Sequence, residues 1–80
     1  SLSQGAGAER DTARKQLEVL TERELDVARG VALGESNTDI AASLCLSLAT
    51  VKAHVSRSLM KLGLENRVQL ALLVRDAGLV

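Results

Sequence analysis

The sequence lacks tryptophan, tyrosine and phenylalanine altogether. Without aromatic rings, a surface cannot provide the stacking platforms on which many proteins hold single-stranded RNA or DNA. The core has to be built from leucine, valine, isoleucine and alanine instead. A chain of 80 residues forms one small domain that buries roughly 60% of the surface of its unfolded state, so any function must be carried by a modest scaffold.

Cysteine and long apolar runs are also scarce. Cys45 is the only cysteine, so the chain can form no internal disulfide, and we interpret this residue as a small apolar filler. No apolar run approaches the roughly 18 residues that span a membrane, and no segment has the pattern of a signal peptide. We therefore expect a soluble, cytoplasmic protein that has no membrane partner.

The residues that catalysis or metal binding would require are few. His54 is the only histidine, no pair of carboxylates lies near it in the sequence, and there is no glycine-rich phosphate loop. A single histidine beside a lysine more often contacts a phosphate, or has no role, than it serves as a base or a metal ligand. We predict no enzyme activity, no catalytic residue, no metal site and no cofactor.

Acidic residues are missing from one segment, although the chain as a whole has ten acidic and ten basic residues. Only Glu65 and Asp76 follow this segment, and all other acidic residues precede Ile40. The segment is SLATVKAHVSRSLMKL, residues 47 to 62, and its ionisable side chains can only be positive: Lys52, His54, Arg57 and Lys61. The charges are therefore segregated along the chain.

Helix starts are marked by a short polar residue followed three positions later by a residue that can reach back to it. Such pairs are Thr21 with Glu24, Ser36 with Asp39, and Asn66 with Gln69. Ser47 can cap a further helix. No segment alternates with period two, so the sequence predicts an all-α four-helix bundle. The predicted helices are residues 22–33, 37–44, 48–62 and 67–77.

The residues before these helices carry weaker signals. SLSQGAGA at the start is rich in glycine, serine and alanine and has no apolar period, so we interpret it as a flexible lead-in. Residues 9–19 contain helix formers but only a thin apolar stripe, so a short helix and a linker are equally compatible with them. We predict a lead-in or linker at residues 1–19 and a folded domain at residues 20–80.

The predicted helix at residues 48–62 has two distinct faces. At 100° per residue, one side collects Val51, Val55, Ser58 and Leu62, and the other side collects Ala49, Ala53, Ser56, Arg57 and Met60. A short helix, a three-residue link and a longer helix with a cationic outer face match the helix-turn-helix layout, whose second helix lies in the major groove of DNA. Carboxylates on that helix would face phosphates, which accounts for their absence, and small outer residues allow close approach to base edges.

Short motifs occur in order between residues 20 and 80. They are LTERE, G-x-SN-x-x-IA-x-x-L, S-x-x-TVK-x-H, KLG and an arginine at the start of the last predicted helix. Together these motifs are specific, and the segment resembles the DNA-binding domain of LuxR-type regulators, a group that includes NarL-type two-component response regulators. The resemblance covers about three quarters of the chain and implies a bacterial transcription regulator that binds double-stranded DNA as a homodimer.

The resemblance also implies roles for individual residues. Base edges would be contacted by Lys52, Ala53 and Ser56. The DNA backbone would be held by Ser47, Thr50, Asn37 and Thr38, and we add the positive side chains of the same helix, His54, Arg57 and Lys61. A lysine can donate to guanine O6 and N7, whereas Ala53 can offer only an apolar contact, for instance to a thymine methyl group.

The last predicted helix contains more apolar residues than one face can hold. Residues 70 to 74, LALLV, are consecutive and cannot all point towards a small core. We predict that this helix forms a dimer interface through Leu70, Leu72, Leu73 and Val74. Alternatively, the apolar excess docks on a regulatory domain that this chain does not include, or the chain is a helical protein-interaction module without specific DNA binding. The chain could also be a small free-standing regulator, although we favour the output domain of a larger response regulator.

Three positions depart from the pattern of the resembling family. Ala28 and Gly30 stand where leucines are common, so we expect the helix at residues 22–33 to be less firmly packed. A glycine inside a helix also costs about 1 kcal/mol relative to alanine. Leu48 stands where an acidic residue or proline is common, and the sequence leaves open whether it packs inward or meets a partner.

Overall fold

Five helices make up the regular structure of the chain. The computed structural model describes residues 2–80, with side chains from residue 9 onward, and it contains no strand within that range. The all-α class is confirmed, but the count is one helix higher than predicted. The helices are α1 (Leu2–Leu17), α2 (Glu22–Ala32), α3 (Asn37–Leu44), α4 (Leu48–Leu62) and α5 (Arg67–Asp76).

Side-chain caps fix the starts of α2 and α3 where the sequence predicts them. The Thr21 hydroxyl accepts a hydrogen bond from the Glu24 backbone N–H at 3.2 Å, and the Glu24 carboxylate accepts one from the Thr21 N–H at 2.9 Å. Ser36 and Asp39 form the same reciprocal pair, with distances of 3.1 and 3.3 Å. Each pair satisfies two backbone donors that have no partner inside the helix.

The cap of α5 differs from the predicted reciprocal pair. The Asn66 side chain accepts from the backbone N–H of Gln69 at 3.0 Å, as expected. The Gln69 side chain, however, accepts from the N–H of Glu65 at 2.7 Å rather than from that of Asn66. The bond from Asn66 alone caps the helix, and α5 still begins at the predicted position.

The link between α3 and α4 is the tight turn of a helix-turn-helix. Cys45 ends α3 in the left-handed conformation, with φ of 55°, and the N–H of Leu46 then donates to the Ala41 carbonyl at 2.9 Å. Ser47 caps α4 by accepting from the N–H of Thr50 at 3.1 Å. Three residues therefore suffice to reverse the chain between the two helices.

The core is formed where α2 lies against α4 and α5. Val27, Val51, Leu70 and Val74 are fully buried there, and α3 adds Ile40. α3 packs against α4, and α1 packs against α5. This arrangement leaves one side of α4 without a protein neighbour among the described residues, and that side is the one predicted to face DNA.

Gly30 is a packing site and not a weakness of α2. A Cβ atom at this position would lie 2.7 Å from Cγ1 of Ile40, so the side chain of α3 occupies the space that a larger residue would need. Ala28 is likewise fully buried. The expectation that α2 is loosely packed is therefore wrong at these positions, because small residues on α2 allow α3 to approach closely.

Residues 2–17 form a helix that is docked on the rest of the protein. Ala13 and Leu17 of α1 are 4% and 3% exposed, and Arg14 Nε donates to the carbonyl of Ala77 at 2.7 Å. For residues 9–19, where the sequence left helix and linker open, the structure shows a helix as far as Leu17. We predicted a flexible lead-in at residues 1–8. The structure instead places the backbone of residues 2–8 in α1. The independence of residues 20–80 as a domain stays a prediction.

Candidate nucleic-acid interface

The two predicted faces of α4 are confirmed. Val51 and Ser58 are fully buried and Val55 is 8% exposed, while Leu62 is half-buried at the end of the same face. The Ser58 hydroxyl is satisfied by donating to the His54 carbonyl at 2.7 Å. The opposite face is open: Ala49, Ser56, Arg57 and Met60 are exposed, and Ala53 is half-buried.

The positive side chains of α4 are not equivalent. Lys52 and Arg57 are exposed and flank the open face. Lys61 instead reaches towards the protein, and its Nζ lies 2.6 Å from Oε1 of Glu24 in an ion pair. The charge of Lys61 is therefore engaged by a buried carboxylate while the side chain remains 38% exposed, and its predicted contact with the DNA backbone stays a prediction.

Glu24 joins the start of α2 to the end of α4. The residue is only 2% exposed, and its carboxylate accepts from both the Thr21 N–H and Lys61. Burial alone would raise the pKa of Glu24, but the hydrogen bonds from Lys61 and Thr21 and the positive charge of Lys61 together hold that pKa below its ordinary value. The ionised form is thus the one that the fold stabilises.

His54 lies at the border of the open face. The residue is half-buried, and its Nδ1 is buried without a hydrogen-bond partner among the described residues. Only Nε2 could therefore reach a phosphate. The structure provides no support for a base or a metal ligand here, and no group of three or more potential metal ligands occurs in the described residues.

The N-termini of α3 and α4 both carry predicted backbone-binding residues. Ser47 and Thr50 are joined by a hydrogen bond of 2.8 Å between their hydroxyls at the start of α4. At α3, Asn37 Oδ1 accepts from Arg67 Nη1 at 2.7 Å, and Thr38 is exposed. Unpaired N–H groups and the helix dipole make such N-termini favourable places for anions.

Arg67 explains the arginine at the start of the last helix. Besides the bond to Asn37, its Nη2 donates to the carbonyl of Glu35 at 3.1 Å. The guanidinium thus ties the first residue of α5 to the segment that leads into α3. The sequence marks this arginine only as a motif position, because a contact between residues 30 positions apart cannot be read from spacing.

The predicted dimer residues of α5 divide into two groups. Leu70 and Val74 are fully buried in the core, so they are not available to a second chain and the prediction is wrong for them. Leu73 is half-buried and Leu72 is 53% exposed. Val68, which the sequence analysis missed, is 63% exposed and lies one turn before Leu72 on the same side.

Spacing would have identified Val68 as an exposed apolar residue only if the face of α5 that packs on the core had been known. Residues 68 and 72 are separated by four positions, and so are residues 70 and 74, so α5 has two apolar rows of the same period. The packing of α5 on α2 decides which row is buried. Periodicity alone assigns neither row to the core.

The geometry defines a helix-turn-helix protein whose second helix has an open, cationic face. Residues 18–74 match the family model of bacterial regulatory proteins, luxR family. This match spans more than half of the chain, so the chain belongs to the luxR family, as the motifs indicated. In line with this, no helix in the described residues is long and apolar enough to cross a membrane.

Individual relatives agree with the family match. The chain is 46% identical over 67 residues to the nitrate/nitrite response regulator protein NarP of Escherichia coli (strain K12), which covers 84% of this chain and 29% of that protein. It is 47% identical over 62 residues to the transcriptional regulatory protein YhcZ of Bacillus subtilis (strain 168), covering 78% of this chain and 29% of that protein. The chain thus spans less than a third of the length of these relatives.

A solved structure supports the fold. Full-length FixJ from B. japonicum superimposes with a TM-score of 0.81 over 98% of this chain and 38% of the FixJ chain. The sequence identity is 23%, so this similarity concerns the fold alone. It includes α1, since nearly the whole of the present chain is covered.

Proposed function

We propose that this chain is the DNA-binding output domain of a bacterial transcription regulator, with α4 in the major groove and α3 across the DNA backbone. The observation that carries the proposal is the open face of α4, which has exposed Lys52 and Arg57 and no carboxylate. A cationic helix of this kind, preceded by a short helix and a three-residue turn, fits the groove sterically and electrostatically.

Residue roles follow from position on this surface. Lys52, Ala53 and Ser56 lie on or beside the open face and are proposed to meet base edges. Ser47, Thr50, Thr38 and Arg57 are proposed to hold phosphates. Asn37 is also proposed to hold a phosphate: Arg67 donates to the side-chain oxygen of Asn37, which leaves the amide nitrogen of Asn37 free to act as a donor. His54 is proposed to hold a phosphate through Nε2.

The similarity to NarP supports a place in a two-component response regulator. We propose that a regulatory domain outside this chain controls the DNA-binding domain, since the relatives are more than three times as long as the matched region. A cytoplasmic location follows from that role. The proposal assigns recognition of DNA to this chain and assigns it no enzymatic step.

We propose that two copies of the chain form a dimer through the exposed apolar side chains of α5. Val68 and Leu72 are exposed and Leu73 is half-buried beside them, so a second copy could cover an apolar strip here. A homodimer on DNA would place two copies of α4 on one side of the duplex. The second candidate is that the same row docks on the regulatory domain.

The test measures affinity for duplex DNA at low and moderate salt by gel shift. We expect the affinity to fall as the salt concentration rises. Binding releases the counterions that DNA phosphates hold, and this release favours binding less at higher salt. Lys52→Glu should abolish specific binding, whereas Lys15→Glu, the same charge change at an exposed position of α1, should retain it. Binding that is independent of salt, or equal loss in both variants, would contradict the proposal and favour a protein-interaction module.

A further inference from the structure

Arg67, the first residue of α5, makes two hydrogen bonds that end on either side of the residue that caps α3. Its Nη1 donates to Oδ1 of Asn37 at 2.7 Å, and its Nη2 donates to the backbone carbonyl of Glu35 at 3.1 Å. Ser36, the cap of α3, lies between these two residues. We call this pair of bonds the Arg67 fork. Both terminal nitrogens of the guanidinium are thus engaged by the protein itself.

The Arg67 fork determines which end of the Asn37 amide faces away from α5. An arginine side chain has five donors and no acceptor, so only the oxygen of the amide can lie against it. If the amide turned by 180°, two sets of N–H groups would face each other at 2.7 Å, which is repulsive. The nitrogen of Asn37 therefore points away from Arg67. Asn37 is only half-buried, so part of its side chain is accessible at the start of α3.

We infer that Arg67 is a positioning residue for binding of the DNA backbone. It does not bind DNA itself but holds the Asn37 amide so that the nitrogen, and not the oxygen, meets a phosphate. The inference rests on the proposed function, in which Asn37 holds a phosphate. Phosphate oxygens accept hydrogen bonds from asparagine side chains, so an outward nitrogen can donate to one, whereas an outward oxygen would repel it. A cation of α5 thus acts on DNA through a neutral side chain of α3.

The experiment removes the charge of one phosphate at a time. The chain first selects duplexes from a random pool, and each phosphate of the selected half-site is then replaced singly by an uncharged methylphosphonate. The loss of affinity for each duplex gives a penalty for each phosphate. A hydrogen bond to a charged group is worth about tenfold in affinity, so we expect penalties of about tenfold at contacted phosphates. The Asn37 phosphate is defined as the one whose penalty falls to about onefold in Asn37→Ala.

Replacement of Arg67 tests the orientation of the amide. Arg67→Gln offers Asn37 either an oxygen or a nitrogen, so the amide is no longer fixed and the penalty at the Asn37 phosphate should fall to less than half of its wild-type value. Arg67→Lys can only donate, so it should keep most of that penalty. Arg75→Gln removes an exposed cation from the same helix and is the matched control, which should leave the penalty unchanged.

Asn37→Asp tests the outward nitrogen while leaving the Arg67 fork in place. Aspartate still offers an oxygen to Arg67, but it presents a negatively charged oxygen to the phosphate. This variant should bind the unmodified duplex at least about tenfold more weakly. Methylphosphonate at the Asn37 phosphate should now strengthen binding, because it removes a repulsion between like charges. A purely structural role of Asn37 would not reverse the sign of this effect.

A double-mutant cycle decides whether Arg67 acts through Asn37. Arg67→Gln should weaken binding in the wild-type background and cost nothing further in the Asn37→Ala background. An equal cost in both backgrounds overturns the inference, because Arg67 would then bind DNA directly or act through the fold. The inference is also overturned if no phosphate has a penalty that depends on Asn37, or if the penalty survives unchanged in Arg67→Gln.

The outcomes separate this inference from the proposed function. A chain that binds a selected sequence with salt-sensitive affinity, but gives any of the contrary results above, overturns the inference alone. If circular dichroism shows that Arg67→Gln does not fold, Arg67→Lys decides: a folded Arg67→Lys that has lost the penalty at the Asn37 phosphate overturns the inference, and one that keeps it supports it. A chain that selects no sequence from the pool overturns the proposed function and this inference with it.

Discussion

At the scale of the residue, Glu24 performs two tasks with one carboxylate. It caps α2 through the Thr21 N–H and holds Lys61 at the end of α4. A buried carboxylate is costly unless its charge is paired and its oxygens are hydrogen-bonded, and both conditions are met here. The orientation of α4 relative to α2 therefore depends on an ion pair that the sequence shows only as a capping residue.

Glu24→Gln should lower the free energy of unfolding by about 1 to 2 kcal/mol near neutral pH, because a neutral amide pairs weakly with Lys61 and caps less well. The folded state holds the pKa of Glu24 below its ordinary value of 4.5, so its stabilising contribution is present above that value. The contribution is lost as the pH falls through the lower pKa of the folded state. The difference between wild type and variant should thus shrink on acidification.

Urea unfolding across a pH series measures this difference. Glu22→Gln, which removes an exposed carboxylate from the same turn of α2, is the matched control. A difference that stays constant at all pH values, or grows in acid, would show that the charge of Glu24 does not stabilise the fold.

Lys52 is one of the residues of α4 that we propose contact base edges. Its side chain is exposed beside the open face of α4, and an ammonium group can donate to guanine O6 and N7. Lys52→Ala should weaken binding to a duplex that the wild-type domain selects from a random pool by about 1 to 3 kcal/mol and relax preference at one base position. Titration of Lys52→Ala and Lys15→Ala against the same set of duplexes checks this, and unchanged selectivity in the first variant would remove Lys52 from the base contacts.

At the scale of the element, Gly30 decides how closely α3 approaches α2. Gly30→Ala should destabilise the protein by about 1 to 3 kcal/mol, because the added Cβ would lie 2.7 Å from Ile40 Cγ1. This loss should appear although alanine is the better helix former by about 1 kcal/mol. A double-mutant cycle with Ile40→Ala provides the check: in that background Gly30→Ala should be much less harmful, and an equal cost in both backgrounds would place the clash elsewhere.

The docking of α1 is a second property of an element that can be tested. Leu17→Ala should lower the free energy of unfolding by about 2 to 4 kcal/mol, since Leu17 is 3% exposed and packs with the core. Val19→Ala, two positions later and 53% exposed, is the matched control and should have little effect. If both variants unfold at the same urea concentration as the wild type, α1 is a linker that contributes nothing to the domain.

At the scale of the whole molecule, the proposed pairing of two copies on DNA would depend on α5. Leu72→Ser should weaken binding to a duplex with two inverted half-sites while leaving binding to one half-site unchanged, because Leu72 is exposed and makes no part of the core. Leu33→Ser, which also removes an exposed leucine, should weaken neither. Measurements on both duplexes distinguish a dimer from two independent monomers.

The spacing of the half-sites gives an independent check of the same assembly. Centres about 34 Å apart put two recognition helices on one side of the duplex, and a change of about five base pairs puts them on opposite sides. A dimer should lose affinity sharply on that change. Equal affinity for both spacings would mean that monomers bind separately and that Val68 and Leu72 serve another contact.

The sequence by itself determined four of the five helices, α2 to α5, and the face of α4 that meets solvent. Caps such as Thr21 with Glu24, and the row formed by Val51, Val55 and Ser58, act within one helix, so their signals are local and can be read from spacing. The motifs between residues 20 and 80 indicated the luxR family for the same reason, because they keep their order along the chain.

Only the tertiary structure decided which local signals act together across the chain. It paired Lys61, a predicted DNA contact, with Glu24, and it buried Leu70 and Val74 while leaving Val68 exposed. It also docked α1 on α5, where sequence alone left residues 9–19 undecided. Each of these outcomes depends on which helix lies against which, and packing between residues distant in sequence leaves no periodic trace in a single sequence.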